Sequence, residues 1–186
     1  MKLKNHVVHL DEVPSKEVKG PENTDFQARR QGVGALIHTE KLGCGLITVP
    51  PQRAAWPFHA HFANEELAFI LEGQGVLRFG EESMPIRAGH FISFPADGKT
   101  GHQIFNNSKK PLRYIMISTM QHPDVVVYPD SSKLGFIAGR APGGSQVEGE
   151  KVAFFSEESK VDYFLNEKHV PGLTGSVSRV EEEDET

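Results

Sequence analysis

A single cysteine, Cys44, excludes an intrachain disulfide and leaves no second thiolate for a sulfur-rich metal site. Set between Gly43 and Gly45 in an apolar stretch, it reads as a small hydrophobe rather than a nucleophile, and it fits a reducing compartment. Long apolar runs are also missing. Residues 1–14 lack the core of a signal peptide and nothing later approaches a membrane span, so a cytoplasmic protein is expected. Basic runs are absent too: with 20 Lys+Arg against 25 Asp+Glu, the formal net charge of −5 argues against a nucleic-acid surface. Arg29-Arg30 and Lys109-Lys110 are read as ordinary surface charge. No helical periodicity of three turns occurs within residues 35–119.

Short apolar or alternating runs are plentiful instead: Ala35–His38, Gly45–Val49, Leu67–Leu71, Gly75–Phe79, His90–Phe94 and Leu112–Ser118. Pro50-Pro51, Glu72-Gly73, Gly80-Glu81-Glu82, Arg87-Ala88-Gly89 and Pro95-Ala96-Asp97-Gly98 separate them. Many short strands between Gly/Pro turns predict an all-β antiparallel barrel or sandwich. Glu72-Gly73-Gln74-Gly75 reads as a hairpin turn that needs a positive φ. The chain is expected to be one domain, 1–186, with a barrel core at 35–119 and a C-terminal extension at 120–186. Val7–Leu10 suggests a strand in an N-terminal extension. Asp124–Tyr128 suggests another strand, whereas Lys151–Phe155 and Val161–Leu165 suit a strand or a short helix. The acidic run Glu181–Thr186 has almost nothing to bury and is expected to fray.

The most informative residues are His59, His61, Glu66 and His102. Side chains two apart on a strand share a face, so His59 and His61 can converge on one ion. A carboxylate after a short turn and an imidazole from a later strand complete a nitrogen/oxygen set suited to Fe, Mn, Ni, Co or Zn. Glu65 is the competing carboxylate, and Glu66 shares a face with Ala68 and Ile70. Leu67, Phe69 and Leu71 form the opposite, also apolar face, suited to an N-terminal extension or a second subunit. Phe58, Phe62, Phe69, Phe79, Phe91, Phe94 and Phe105 suggest an aromatic-rich core. Trp56, Ile70, Phe94 and Gln103 are candidate pocket residues, while His90 has no ligand-like spacing.

His59-x-His61-x₄-Glu66-x₆-Gly73, followed by Gly89-x₅-Pro95 and then His102-x₃-Asn106, resembles the two motifs of the cupin superfamily. That resemblance implies a double-stranded β-helix, or jelly-roll barrel, with one divalent transition metal per subunit held by His59, His61, Glu66 and His102. It gives Asn106, Gly73 and Gly89 structural roles near the site. The sequence departs from the pattern in the turn before His102, where two extra residues intervene and Asp97 takes a position usually occupied by glycine. The resemblance implies a single-barrel protein, expected as a homodimer, acting on a small molecule. A dioxygenase with Fe(II) is placed first among its functions. A metal-dependent sugar isomerase or epimerase and a non-catalytic binding or sensor protein stand as alternatives, and no catalytic residue beyond the ligands is assigned.

Overall fold

The computed structural model describes residues 2–167, and the acidic run Glu181–Thr186 lies outside them. Fourteen strands follow one another: β1 (Ser15–Lys19), β2 (Gln27–Gly32), β3 (Leu42–Val49), β4 (Arg53–Ala54), β5 (Ala60–His61), β6 (Glu66–Glu72) and β7 (Gln74–Phe79), then β8 (Glu82–Arg87), β9 (Phe91–Phe94), β10 (His102–Asn106), β11 (Leu112–Thr119), β12 (Asp124–Tyr128), β13 (Lys133–Ala138) and β14 (Lys151–Ser156). They form three sheets, ordered β1-β2-β3-β11-β6-β9, β4-β10-β7-β8 and β14-β13-β12-β5. Pairings within each sheet are antiparallel. The sheets do not close into one hydrogen-bonded cylinder among the described residues. No described helix is long and apolar enough to cross a membrane.

Strand alternation builds the core. Ala28, Ile47, Val49, Ala68, Ile70, Phe94, Leu112 and Tyr114 of the large sheet pack against Leu77, Ile86 and Ile104 of the second. Each fully buried aliphatic side chain contributes about 1.5–3 kcal/mol relative to exposure. The opposite face of β6 keeps Phe69, stacked at 4.3 Å on Phe91, whose ring is 71% exposed. Phe62 is also exposed, at 52%, so these two aromatics lie outside the expected core.

Glu72–Gly75 is a corner rather than a hairpin turn, because β6 and β7 belong to different sheets. Gly73 makes it with φ +85°, and a Cβ there would stand 2.5 Å from the Pro111 carbonyl oxygen. The N-terminal strands fall at β1 and β2 instead of Val7–Leu10, which runs irregularly into a 3-10 turn at Leu10–Glu12. Ala35–His38 is likewise taken up by a 3-10 turn, Gly34–Ile37. Two strands carried no clear sequence signal. β8 is an edge strand with Pro85 and exposed Met84, only Ile86 being buried, and β13 is interrupted by Gly135. Lys151–Phe155 is a strand, whereas Val161–Leu165 contains neither strand nor helix.

Gly73→Ala combines a strained positive φ with a clash against backbone. It is expected to destabilise the fold by about 1–3 kcal/mol or more in denaturant unfolding. A midpoint unchanged from the wild type would contradict the close approach at this corner.

Candidate metal centre

Two reciprocal backbone bonds put the histidines side by side: His59 N–H donates to the His102 carbonyl (3.2 Å) and His102 N–H to that of His59 (2.8 Å). Their rings lie 4.5 Å apart between centroids, and the ring of His61 is 5.0 Å from that of His59. Glu66 opens β6 opposite Phe94 and turns inward, while Glu65 is exposed. Ligand atoms from His59, His61 and Glu66 all fall within 4.8 Å of one another. His102 joins through Glu66, its Nε2 standing 3.1 Å from Oε2, and its ring stacks at 4.0 Å on Phe94. The buried Nδ1 of His102 has no partner among the described residues.

The electrostatics suit a cation. Burial, reinforced by the neighbouring His102 and His61, pushes the His59 imidazole down to about 3, so it stays neutral at physiological pH. Its Nδ1 donates to the Pro57 carbonyl at 2.7 Å, leaving the Nε2 lone pair for a metal. His61 is displaced upward: burial opposes its charge, but the bond to Asp124 and the charges of Glu66 and Asp124 prevail. Glu66 is held below the ordinary carboxylate range, because the His102 bond and the surrounding imidazoles outweigh the effect of burial. Two imidazoles and an ionised carboxylate converging within one ion's reach constitute a candidate divalent-metal site.

Beside the centre lies a space of about 10 Å³, roughly one water molecule, bordered by Trp56, His59, Phe94, His102, Gln103 and Tyr114 among others. Gln103 donates to the Trp56 carbonyl at 2.9 Å and accepts from Arg78. Ile70 is fully buried in the core and does not border this space. His90 is spent on its own turn, accepting from Arg87 N–H. Asn106 bonds the carbonyls of Val49 and Lys110, securing the 106–110 turn away from the ligands. Gly89, with φ +93°, turns the chain between β8 and β9.

The unusual approach to His102 is a closed loop. Both Asp97 oxygens are engaged, by the Lys99 and Thr100 N–H groups and by the Thr100 hydroxyl, which lowers this carboxyl to about 2. Gly98 takes the left-handed conformation at φ +63°, and the Phe62 ring fills the place a Cβ there would need.

Two residues escaped the sequence reading. Asp124 of β12 bonds Nδ1 of His61 at 2.7 Å. Tyr114 of β11, 1% exposed, reaches the cavity. Burial, assisted by the charge of Glu66, raises this phenol and keeps its proton on. The alternation Asp124, Val126, Tyr128 places a carboxylate on the face that pairs toward His61, a signal available in the sequence but obscured by the valines around it.

Residues 45–118 match the family model for the cupin domain. An uncharacterized protein of Methanocaldococcus jannaschii is 35% identical over 60 residues, 32% of this chain and 46% of that one, so the chain spans about half the length of this curated relative. Among solved structures, a protein of Acidithiobacillus ferrooxidans named as a presumed sugar phosphate isomerase is similar with a TM-score of 0.72 at 20% identity, over 87% of this chain and 98% of the other. A sugar phosphate isomerase from a cupin superfamily of Silicibacter pomeroyi gives 0.68 at 19% identity, over 82% and 94%. A predicted oxalate decarboxylase of Thermotoga maritima gives 0.53 at 20%, over 61% and 97%. At these identities the likeness is one of fold.

The metal-free protein has a defined acid sensitivity. The unfolded chain takes up a proton at His59 near 6.5, whereas the folded chain refuses it down to about 3, so stability is lost as pH falls through that window. The lowered Glu66 and Asp124 add to the acid loss, while the raised His61 acts in the opposite sense. Thermal melts from pH 7 downward are expected to decline less steeply in His59→Gln. Equal slopes for the two proteins would contradict a desolvated His59.

Proposed function

We propose that this chain, whose residues 45–118 match the cupin domain and whose His59, His61 and Glu66 form one candidate divalent-metal site, is a metal-dependent isomerase of a small phosphorylated sugar. The observation that carries the reading is that a protonated phenol, Tyr114, borders a small cavity that His59 of that ligand set and His102 also border. His102 is assigned as the fourth ligand, through the nitrogen that faces Glu66. The metal, once bound, supplies Lewis acidity toward a substrate carbonyl or hydroxyl. Tyr114 donates a hydrogen bond to a substrate oxygen, and Phe94 and Trp56 wall the reacting carbons from water. Aldose–ketose interconversion moves hydrogen within one molecule and needs no external oxidant. A sugar is larger than the space present, so binding must open the wall at Trp56 and Gln103.

Support for the substrate class comes from the relatives named as sugar phosphate isomerases, whose likeness extends over more of the chain than that of the decarboxylase. The expected Fe(II) dioxygenase rests on the nitrogen/oxygen ligand set together with an aromatic-rich core, and an isomerase can share both. A non-catalytic binding or sensor protein draws on the long loop before His102, the irregular tail and the lack of an acid or base beside the ligands, and Asp124 and Tyr114 answer the last of these. A jelly-roll core over 35–119, a C-terminal extension from 120 and a cytoplasmic setting belong to the same proposal. So does a homodimer formed through the face bearing Phe69 and Phe91.

Protein stripped of metal and reloaded separately with Mn, Co, Ni, Zn or Fe(II) is expected to bind about one equivalent and to interconvert a sugar phosphate equally fast with and without oxygen. Tyr114→Phe should retain the metal and lose about 10²-fold or more in kcat. Oxygen uptake matching turnover, or failure of the loaded protein on a full aldose and ketose phosphate panel, would contradict the reading. Separately, light scattering is expected to give a dimer mass for the wild type and a monomer mass for Phe91→Glu. A monomeric wild type would refute the dimer.

A further inference from the structure

Asp124 belongs to β12, beyond the residues that match the cupin domain, yet its carboxylate is fully buried against a ligand of the centre. Its Oδ2 accepts from His61 Nδ1 at 2.7 Å and from Asn64 Nδ2 at 2.8 Å, and its Oδ1 accepts from the Ala63 N–H at 2.9 Å. Asn64 is itself fixed, since its amide bonds both the N–H (2.8 Å) and the carbonyl (3.0 Å) of Gln121. The backbone holds the same arrangement, with β12 pairing to β5 through Val126 opposite His61. A buried carboxylate whose oxygens take three donors has no spare geometry.

We propose that Asp124 is a positioning residue of the metal centre, locking His61 in the tautomer that offers Nε2 to the ion. This rests on the reading of His59, His61 and Glu66 as ligands. An ionised carboxylate accepts only, so the His61 proton sits on Nδ1 and the lone pair on Nε2, the nitrogen 3.8 Å from Glu66 Oε2. Strand β12 is therefore part of the centre, not an appendage to it. Asn at 124 cannot reproduce the arrangement. An amide nitrogen in place of Oδ1 would meet the Ala63 donor, and in place of Oδ2 it would meet the Asn64 donor and invert the His61 tautomer.

The test combines zinc titration of the metal-stripped full chain with nitrogen-15 NMR of its histidines. The NMR is read above the imidazole titration, so that the tautomer is visible in the wild type without any substitution. His61 is expected as the Nδ1–H form, and Asp124→Asn is expected to bind zinc about 10- to 100-fold more weakly while retaining its near-UV circular dichroism. Asp130→Asn is the control: Asp130 ties the same segment to β7 through a bidentate pair with Arg78, at 2.8 and 3.1 Å, without touching His61. It should stay within twofold of the wild type. An Nε2–H tautomer in the wild type, zinc affinity of Asp124→Asn within twofold of wild type, or an equal loss in Asp130→Asn would overturn the proposal. A wild type that binds no zinc or other divalent ion would instead overturn the ligand reading on which it rests, while the tautomer still reports on Asp124 by itself.

Discussion

A single carboxylate buried among imidazoles governs the architecture. Glu66, with its side chain only 13% exposed, has the Nε2 atoms of His102 and His61 at 3.1 and 3.8 Å. An isolated negative charge at that depth would be expelled or neutralised, because desolvation costs several kcal/mol. It remains ionised because two parts of the chain deliver nitrogens to it, the segment bearing His59 and His61 and the start of β10, while β12 holds His61 through Asp124. Neutral His59 adds a lone pair without adding a competing positive charge. A divalent ion satisfies the same surroundings more fully than protons do, since it binds the carboxylate and the imidazoles together.

The fold can be understood as the means of holding those elements in register. The corner at Gly73 sends β6 into the large sheet and β7 into the second, so that Glu66 and His102 approach from opposite walls. The loop sealed by Asp97 and pressed by Phe62 onto Gly98 fixes where β10 begins, and hence where His102 stands. From the third sheet, β12 pairs with the two-residue strand β5 and secures His61, while Asp130 and Arg78 fasten its far end.

Much of this was written in local pattern. His59 and His61 two apart, Glu66 rather than Glu65, and the strands around Leu67–Leu71, Gly75–Phe79 and Leu112–Ser118 followed from alternation and turn residues. β8 and β13 did not, because an edge strand with one buried side chain and a strand broken by glycine carry little periodic signal. The hairpin expected at Gly73 failed for a different reason: the positive φ was legible, but which sheet the next strand joins is decided by pairing far along the chain. Asp124 was overlooked because its role depends on a contact with His61, 63 residues away. Tyr114 looked like ordinary strand packing, and only the proximity of the cavity and of Glu66 gives its hydroxyl another task.

These observations make the candidate centre a composite of the residues that match the cupin domain and the strand β12 that follows them. The most direct test is anomalous diffraction from crystals soaked in zinc or manganese. The account predicts one peak per chain, about 2.0–2.2 Å from nitrogens of His59, His61 and His102 and an oxygen of Glu66, with Asp124 still bonded to Nδ1 of His61. A peak elsewhere, or none in crystals that retain the fold, would contradict it.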